Sequence, residues 1–89
     1  SSRVGETFQG VISSVTPFGL FVQLADIFVE GLVHITTMAD DYYRYVESAH
    51  ILRGENTHKV YRLGDKVAVQ VIRVNMDVRQ IDLGLVGRG

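Results

Sequence analysis

The stretch that decides the fold is residues 18–24, which read Phe-Gly-Leu-Phe-Val-Gln-Leu. From Gly19 onward, aliphatic residues occupy every second position, so they share one face of an extended strand. Phe21 lies on the opposite face of the strand, between Gly19 and Gln23. The pattern therefore predicts a half-buried strand that carries a large aromatic ring on its outer surface.

The same alternation predicts four further strands and hence an all-β chain. In the first, the register changes near Ser13 and Ser14, which predicts a bulge of the kind found in small barrels. In the third, His34 lies opposite the face that carries Val33 and Ile35. The five predicted strands span residues 8–15, 19–24, 30–36, 66–74 and 80–85.

About thirty residues connect the third and fourth strands, too many for a structureless loop in a compact domain. Residues 36–40 predict one helical turn with a threonine cap. Residues 45–52 and 58–61 flank the turn-forming residues 54–57, which predicts an extra hairpin. Together these features predict a five-stranded antiparallel OB-type barrel, a fold whose outer face commonly binds oligonucleotides or oligosaccharides.

Composition limits the chain to one small domain. Its 89 residues are 46% hydrophobic, which is enough for a single compact core. The absence of cysteine excludes disulfides, thiolate zinc sites and cysteine nucleophiles. No apolar run approaches the roughly 18 to 20 residues of a membrane helix, and the first residues do not resemble a signal peptide. We therefore expect a cytoplasmic protein that does not engage a membrane.

Charge is distributed unevenly along the chain. The formal net charge of −1 does not by itself favour nucleic-acid binding, because domains of that class are often strongly basic. The net charge is 0 for residues 1–24, −3 for residues 25–61 and +2 for residues 62–89. The last third is therefore the basic one.

Residues that could catalyse a reaction or hold a metal do not form a known motif. The histidines His34, His50 and His58 lack the spacing of a metal site. The acids of the long connection have no partner motif, and neither a glycine-rich phosphate loop nor a Ser-His-acid trio can be argued from spacing. We predict a binding module with no catalytic residue, metal ligand or cofactor of its own.

Three blocks of sequence carry a family resemblance. Residues 10–12, residues 18–22 and the block Glu-Gly-Leu-Val-His-Ile at residues 30–35 together resemble the S1 RNA-binding domain, which occurs in many RNA-processing and translation proteins. The resemblance covers residues 4–86, so residues 1–3 and 87–89 are expected to be flanking linker residues of a fragment.

A narrower similarity, in residues 41–45, 61–67 and 74–82, is to the C-terminal S1 domain of the ribonuclease R family. That family belongs with ribonuclease II among the processive exoribonucleases. The resemblance implies that the chain binds single-stranded RNA with little sequence preference, as a monomeric unit beside the other domains of a 3′-to-5′ exoribonuclease. It also implies that the parent enzyme uses magnesium held by carboxylates in a separate catalytic domain.

Aromatic residues are the first candidates for RNA contact, because every base has a face that can stack on a ring. Phe21 is expected on the outer surface, and Phe18 either adds a second ring or plugs the end of the barrel. Tyr42 and Tyr43, beside Arg44 in the long connection, are possible further contacts. Their alternative role is to pack the connection against the barrel.

Polar candidates complete the predicted site. His34 fits stacking or hydrogen bonding to RNA, or is a strand histidine without a ligand. Arg79 fits contact with a phosphate or a base, or is a solvated turn residue. Asn75 occupies a position where many S1 domains carry an aspartate, so it is a weaker member. Lys66 is a possible contact, or an ordinary charge at a strand end.

Two other functions are compatible with the sequence. The module also fits another RNA-processing or translation protein in which it only binds RNA, although the tyrosine-rich connection argues against this. An OB-type barrel fits a protein-docking role as well, in which the aromatic face meets a partner protein.

Overall fold

The computed structural model describes residues 3–88, in which β-strands are the main regular secondary structure. A single 3-10 turn, Ile35–Thr37, follows the third strand. The all-β class is therefore confirmed. The strands are β1 (Thr7–Thr16), β2 (Gly19–Leu24), β3 (Glu30–His34), β4 (Tyr43–Val46), β5 (Ile51–Gly54), β6 (Val60–Arg62), β7 (Lys66–Asn75) and β8 (Gln80–Arg88).

Five of the strands close into a barrel in the order β1-β2-β3-β8-β7. This confirms the predicted OB-type barrel. Antiparallel pairing, which the sequence predicted throughout, holds at four junctions. The prediction is wrong at the fifth junction, where β3 and β8 run parallel. Leu32 pairs there with Asp82, and Val33 pairs with Leu83. The reason is that β7 and β8 form a hairpin, so β8 reaches β3 running in the same direction.

The first strand bends in order to serve two neighbours. Residues Thr7 to Val11 pair with β7, and residues Gly10 to Thr16 pair with β2. The register shifts between Ile12 and Ser14, which confirms the predicted bulge. In the sequence, Val15 is one residue out of step with the inward positions of β1. The bulge shifts the register, so Val15 packs against the core.

The barrel interior is filled by the inward-facing aliphatic side chains. The predicted aliphatic face of β2 is buried, and so are Val67, Val69 and Val71 of β7, whereas on β8 Ile81 and Leu85 are only partly buried. Burial of this kind stabilises the fold by about 25 cal/mol for each Å² of apolar surface removed from water. The largest fully buried side chains are Ile12, Leu20, Val22, Leu24, Val33, Leu52, Val67, Val69 and Leu83.

The long connection forms a three-stranded meander, β4-β5-β6, and not the single hairpin predicted. The segment 45–52, taken as one strand, is divided by a turn in which His50 adopts a positive φ of 54°. The turn after Gly54 lies where it was predicted. The helical turn begins one residue earlier than predicted, at Ile35, and no side chain caps it; the hydroxyl of Thr37 instead donates to the carbonyl of His34 at 2.7 Å.

One carboxylate ties the meander together, and we call this arrangement the Asp41 latch. Oδ2 of Asp41 accepts hydrogen bonds from the backbone N–H and the hydroxyl of Thr57, both at 2.7 Å. Oδ1 accepts from the N–H of Tyr42 at 2.7 Å and from Nδ2 of Asn56 at 2.9 Å. These donors, the Thr57 N–H above all, hold the pKa of Asp41 well below its ordinary value. A side chain at Gly54 would collide with this carboxylate.

The end of β8 lies within the domain, although residues 87–89 were expected to be linker. Arg88 pairs with Val67 across the β7-β8 ladder and donates from NH2 to the carbonyl of Val60 at 2.7 Å. Its guanidinium also lies 4.4 Å from the ring centroid of Tyr61. Ser1, Ser2 and Gly89 fall outside the described residues.

Candidate nucleic-acid interface

Two phenylalanine rings lie side by side on the outer surface where β1 turns into β2. The ring centroids of Phe18 and Phe21 are 6.2 Å apart, with the planes at 88°. Phe18 is 53% exposed, so it does not plug the barrel. Phe21 is half-buried on the outer face of β2, as the alternation predicted. Each ring therefore presents surface on which a base can stack.

The turn that places Phe18 is fixed by Thr16. The hydroxyl of Thr16 accepts from the backbone N–H groups of Phe18 at 3.3 Å and Gly19 at 3.1 Å, and donates to the carbonyl of Gly19 at 3.0 Å. Gly19 runs so close to β3 that a side chain there would collide with the carbonyl oxygen of Val33. The glycine between the rings is therefore a packing requirement as well as an open approach for a base.

His34 lies at the end of β3 and is held by a carboxylate of β8. Its Nε2 lies 3.2 Å from Oδ1 of Asp82. Gln80 donates to the same oxygen at 2.8 Å, and Nε of Arg73 lies 3.3 Å from Oδ2. The Gln80 donor and, less strongly, His34 and Arg73 lower the pKa of Asp82, against the opposing effect of desolvation. Asp82 thus orients a histidine and an arginine on the same outer surface as the rings.

Arg79 lies in the turn between β7 and β8, in the left-handed region at φ 52°. Within the described part of the chain, its guanidinium has no hydrogen bond or ion pair. Asn75 shapes this turn: its Oδ1 accepts from the N–H of Asp77 at 3.1 Å and of Val78 at 3.4 Å. The amide oxygen therefore positions the segment that carries Arg79 and does not contact the guanidinium.

The structure brings Arg79 and Phe21 to one shallow cavity of about 200 Å³. Its floor includes Leu32, which faces outward opposite Phe21 in the β2-β3 ladder yet is only 6% exposed. An apolar floor with a ring on one side and a free guanidinium on the other suits a planar base linked to a phosphate.

The remaining candidates lie away from this face. Lys66 is exposed at the start of β7, where it lies opposite Val11 of β1. Because β1 lies between β7 and β2, Lys66 is one strand away from the strand that carries Phe21. Tyr42 is 76% exposed on the meander. Tyr43 is 8% exposed, donates from its hydroxyl to Asp40 at 3.0 Å and packs edge-on against Tyr61, so its ring lies in the core and is not offered for stacking.

Three residues of the interface were missed as such by the sequence interpretation: Leu32, Gln80 and Asp82. Alternation did place Asp82 outward on the last strand. What it could not supply is the pairing of β3 with β8, which places the carboxylate next to His34. A pairing rule for the closing strands of the barrel is the signal that would have found it.

Residues 3–88 offer neither a metal site nor a membrane-spanning helix. Those residues contain no group of three or more His, Asp or Glu side chains placed to hold a metal ion. Among the same residues, no helix has the length and apolar character needed to cross a membrane.

Comparison with known proteins places these observations in a family. The S1 RNA binding domain family model matches residues 1–85. Ribonuclease R of Escherichia coli K12 is 52% identical over 84 residues, which are 94% of this chain and 10% of that enzyme. The apo structure of Mycoplasma genitalium RNase R superposes with a TM-score of 0.90 at 32% identity, over 94% of this chain and 13% of that one.

The same Mycoplasma genitalium enzyme has also been solved in complex with ribose-methylated single-stranded RNA, and that structure superposes equally well, with a TM-score of 0.90. The chain thus spans about a tenth of the length of the relatives it matches. The barrel, the outward rings and the match over nearly the whole sequence agree: this chain belongs to the S1 RNA-binding domain family.

Proposed function

We propose that this chain binds single-stranded RNA with little sequence preference, on the outer face of β2, β3 and β8. The observation that carries the proposal is that the exposed Phe18 ring packs against Phe21, which shares a cavity with the free guanidinium of Arg79. Rings stack on any base, and a guanidinium pairs with any phosphate, so neither contact selects a sequence. The RNA-bound structure of a related enzyme supports the proposal.

In this proposal the barrel is the RNA-capturing module of a ribonuclease R-type 3′-to-5′ exoribonuclease. Its similarity to a short part of much longer ribonucleases supports this place in a larger enzyme. Hydrolysis, with its magnesium-binding carboxylates, belongs to a separate domain of the parent, and this chain acts as a cytoplasmic, monomeric RNA-holding unit. The chain itself then does not cleave RNA when magnesium is added.

Fluorescence anisotropy with labelled oligo-U, oligo-A and a duplex RNA tests the binding proposal. We expect similar affinity for the two single strands and weaker binding of the duplex. Arg79 and one or two further cations give a slope of log affinity against log salt near −1 to −3, at about −0.7 for each phosphate contact. A slope steeper than about −5 would contradict the aromatic mechanism. Binding of oligo-U no tighter than that of an acidic control protein would instead favour the protein-docking function.

Incubation of the purified chain with labelled RNA and magnesium tests whether RNA hydrolysis belongs to a separate domain. We expect intact RNA. Loss of 3′ nucleotides that disappears when one of the chain's own acids is substituted would show that the chain is itself a nuclease.

A further inference from the structure

The outward face of the meander carries three arginines, Arg44, Arg53 and Arg62, which we call the arginine face. In the β4-β5 ladder Arg44 lies directly opposite Arg53, and in the β5-β6 ladder Arg62 lies opposite Ile51, two residues along β5 from Arg53. Because directly opposite residues point to the same side of a sheet, the three guanidinium groups share one surface. All three residues are exposed.

The other side of the meander explains why this surface is rigid. Tyr43, Leu52 and Tyr61 point inward and belong to the same hydrophobic cluster as the barrel core. The backbone is also joined to β1, since Gly64 donates to the carbonyl of Ile12 at 2.8 Å. The arginines are therefore carried by a sheet that is fixed to the barrel and not by a loose loop.

The arrangement of these arginines is unfavourable for the folded chain alone. Like charges directly opposite each other in a ladder destabilise a sheet. Within residues 3–88 the Arg53 guanidinium has no ion pair, and Arg44 has only the exposed contact with Glu55 at 3.4 Å. Arg62 uses its backbone N–H, not its side chain, to bond Asp65. With Glu55 beside it, the Arg44–Arg53 pair keeps a net charge of +1, which an anionic ligand can balance.

The neighbouring acids do not cancel this surface, although residues 25–61 sum to −3. Asp41 is occupied by five donors, the four of its latch and the backbone N–H of Asn56. Asp40 pairs with Lys59 at 2.8 Å and accepts from Tyr43. Glu55 contacts Arg44 and lines the same groove, so the surface formed by Arg44, Arg53 and Arg62 keeps a net positive charge.

We propose that the arginine face is a second RNA-contacting surface, which binds the phosphates of a strand that extends beyond the aromatic interface. Arg44 and Arg53 line a shallow groove of about 540 Å³ on this face. Each guanidinium has five donors in a fork that fits phosphate oxygens, so binding here depends on charge and not on bases. The choice of RNA as the polyanion rests on the proposed function, because a strand already held at Phe21 reaches a second site at high effective concentration.

The test compares the double variant Arg44→Gln/Arg53→Gln with the wild-type chain, using oligo-U of two lengths. Site sizes of OB folds suggest about 4 nucleotides for an RNA that fills only the aromatic interface and about 16 for one that also reaches the meander. For the long RNA, we expect the variant's slope of log affinity against log salt to be shallower by about 1.4. Between roughly 50 and 200 mM salt, wild-type affinity then falls about sevenfold more than that of the variant.

The short RNA and the melting temperature complete the expected result. We expect unchanged affinity for the short RNA and a melting temperature no lower than that of the wild type, because a repulsive pair has been removed. Arg3→Gln is the control: it removes one positive charge, half of what the double variant removes, from a residue that already pairs with Glu6 at 3.6 Å, and it should leave the slope unchanged.

The outcomes separate the two proposals. If the double variant keeps the wild-type salt slope with the long RNA, the proposal for the arginine face is wrong. It is also wrong if the variant loses the same affinity for both RNA lengths. Binding of polyglutamate as tight as that of long oligo-U assigns the surface to an acidic protein and also overturns it. If Phe21→Ala leaves short-RNA affinity intact while the arginine variant weakens long-RNA binding, the aromatic proposal fails and the arginine face stands.

Discussion

His34 and Asp82, which are 48 residues apart in the sequence, lie with Nε2 and Oδ1 3.2 Å apart across the parallel junction of the barrel. Many S1 domains carry an aspartate where this chain has Asn75, so the chain lacks a carboxylate at that position of β7. Asp82 provides one on β8, where it contacts both His34 and Arg73. The interface therefore keeps an acid that orients its basic groups.

We expect Phe18→Ala and Phe21→Ala each to weaken oligo-U binding by roughly 1 to 3 kcal/mol, the value of one stacked base. This corresponds to a loss of affinity of about five- to 150-fold. Neither ring belongs to the buried core, so the domain stays folded in circular dichroism melts. Anisotropy titrations measure the affinities.

Phe28→Ala is the matched control for the ring variants. Phe28 is 77% exposed in the connection between β2 and β3 and does not line the cavity shared by Phe21 and Arg79. Its removal should leave binding unchanged. If all three variants lost affinity equally, the loss could not be assigned to the β2 face.

Asp82→Asn should destabilise the domain at neutral pH by about 1 kcal/mol, because it removes a charge-assisted contact with Arg73 and His34. The pKa of Asp82 is below its ordinary value of 3.8 in the folded chain, so its stabilisation is complete above that value and is lost as the pH falls below it. Urea midpoints of the two proteins should therefore differ at pH 7 and converge as the pH falls below that ordinary value. A difference independent of pH would contradict this role for the carboxylate.

Asn75→Asp should keep the turn, because a carboxylate oxygen can accept from Asp77 and Val78 as the amide does. Asn75→Ala removes the acceptor, so we expect it to weaken RNA binding about as much as Arg79→Ala does. For Arg79→Ala the salt slope should become shallower by about 0.7, the contribution of one phosphate contact. Wild-type affinity in Asn75→Ala would show that the turn holds Arg79 without this side chain.

Asp41→Ala should lower the melting temperature, since it leaves the N–H groups of Thr57 and Tyr42 without their acceptor. The latch lies in the meander, so affinity for a short oligo-U should be unchanged. Scanning calorimetry and anisotropy measure the two effects. A loss of short-RNA affinity at full stability would place Asp41 in the aromatic interface.

Alternation along the sequence was sufficient for much of the fold, because side chains on half-buried strands alternate between core and solvent. It identified the inward face of β2, the outward Phe21 and the bulge in β1. It failed in the long connection, where a turn at residues 47–50 contains no glycine or proline to mark it. There His50 takes a positive φ, a conformation more often marked by glycine.

The candidate site was predictable where one residue acts by its own chemistry, and less so where contacts between strands decide the role. Phe18 and Phe21 needed only their position on the outer surface. The identity of Tyr43 gave no indication that it would be buried against Tyr61, because a tyrosine is equally suited to stacking on a base and to packing a meander. Its neighbour Tyr42, one residue away, is exposed.

The parallel junction between β3 and β8 also sets the order in which a nascent chain can complete its RNA-binding face. The β1-β2 pair and the meander consist of contacts between near neighbours in the sequence, which form early. β3 ends at His34, but its second partner begins at Gln80, so one edge of β3 stays unpaired until β8 has also left the ribosome. A chain stopped before β8 already carries both phenylalanines, yet it lacks Asp82 beside His34. Affinity for RNA should therefore be gained when β8 is added to the barrel.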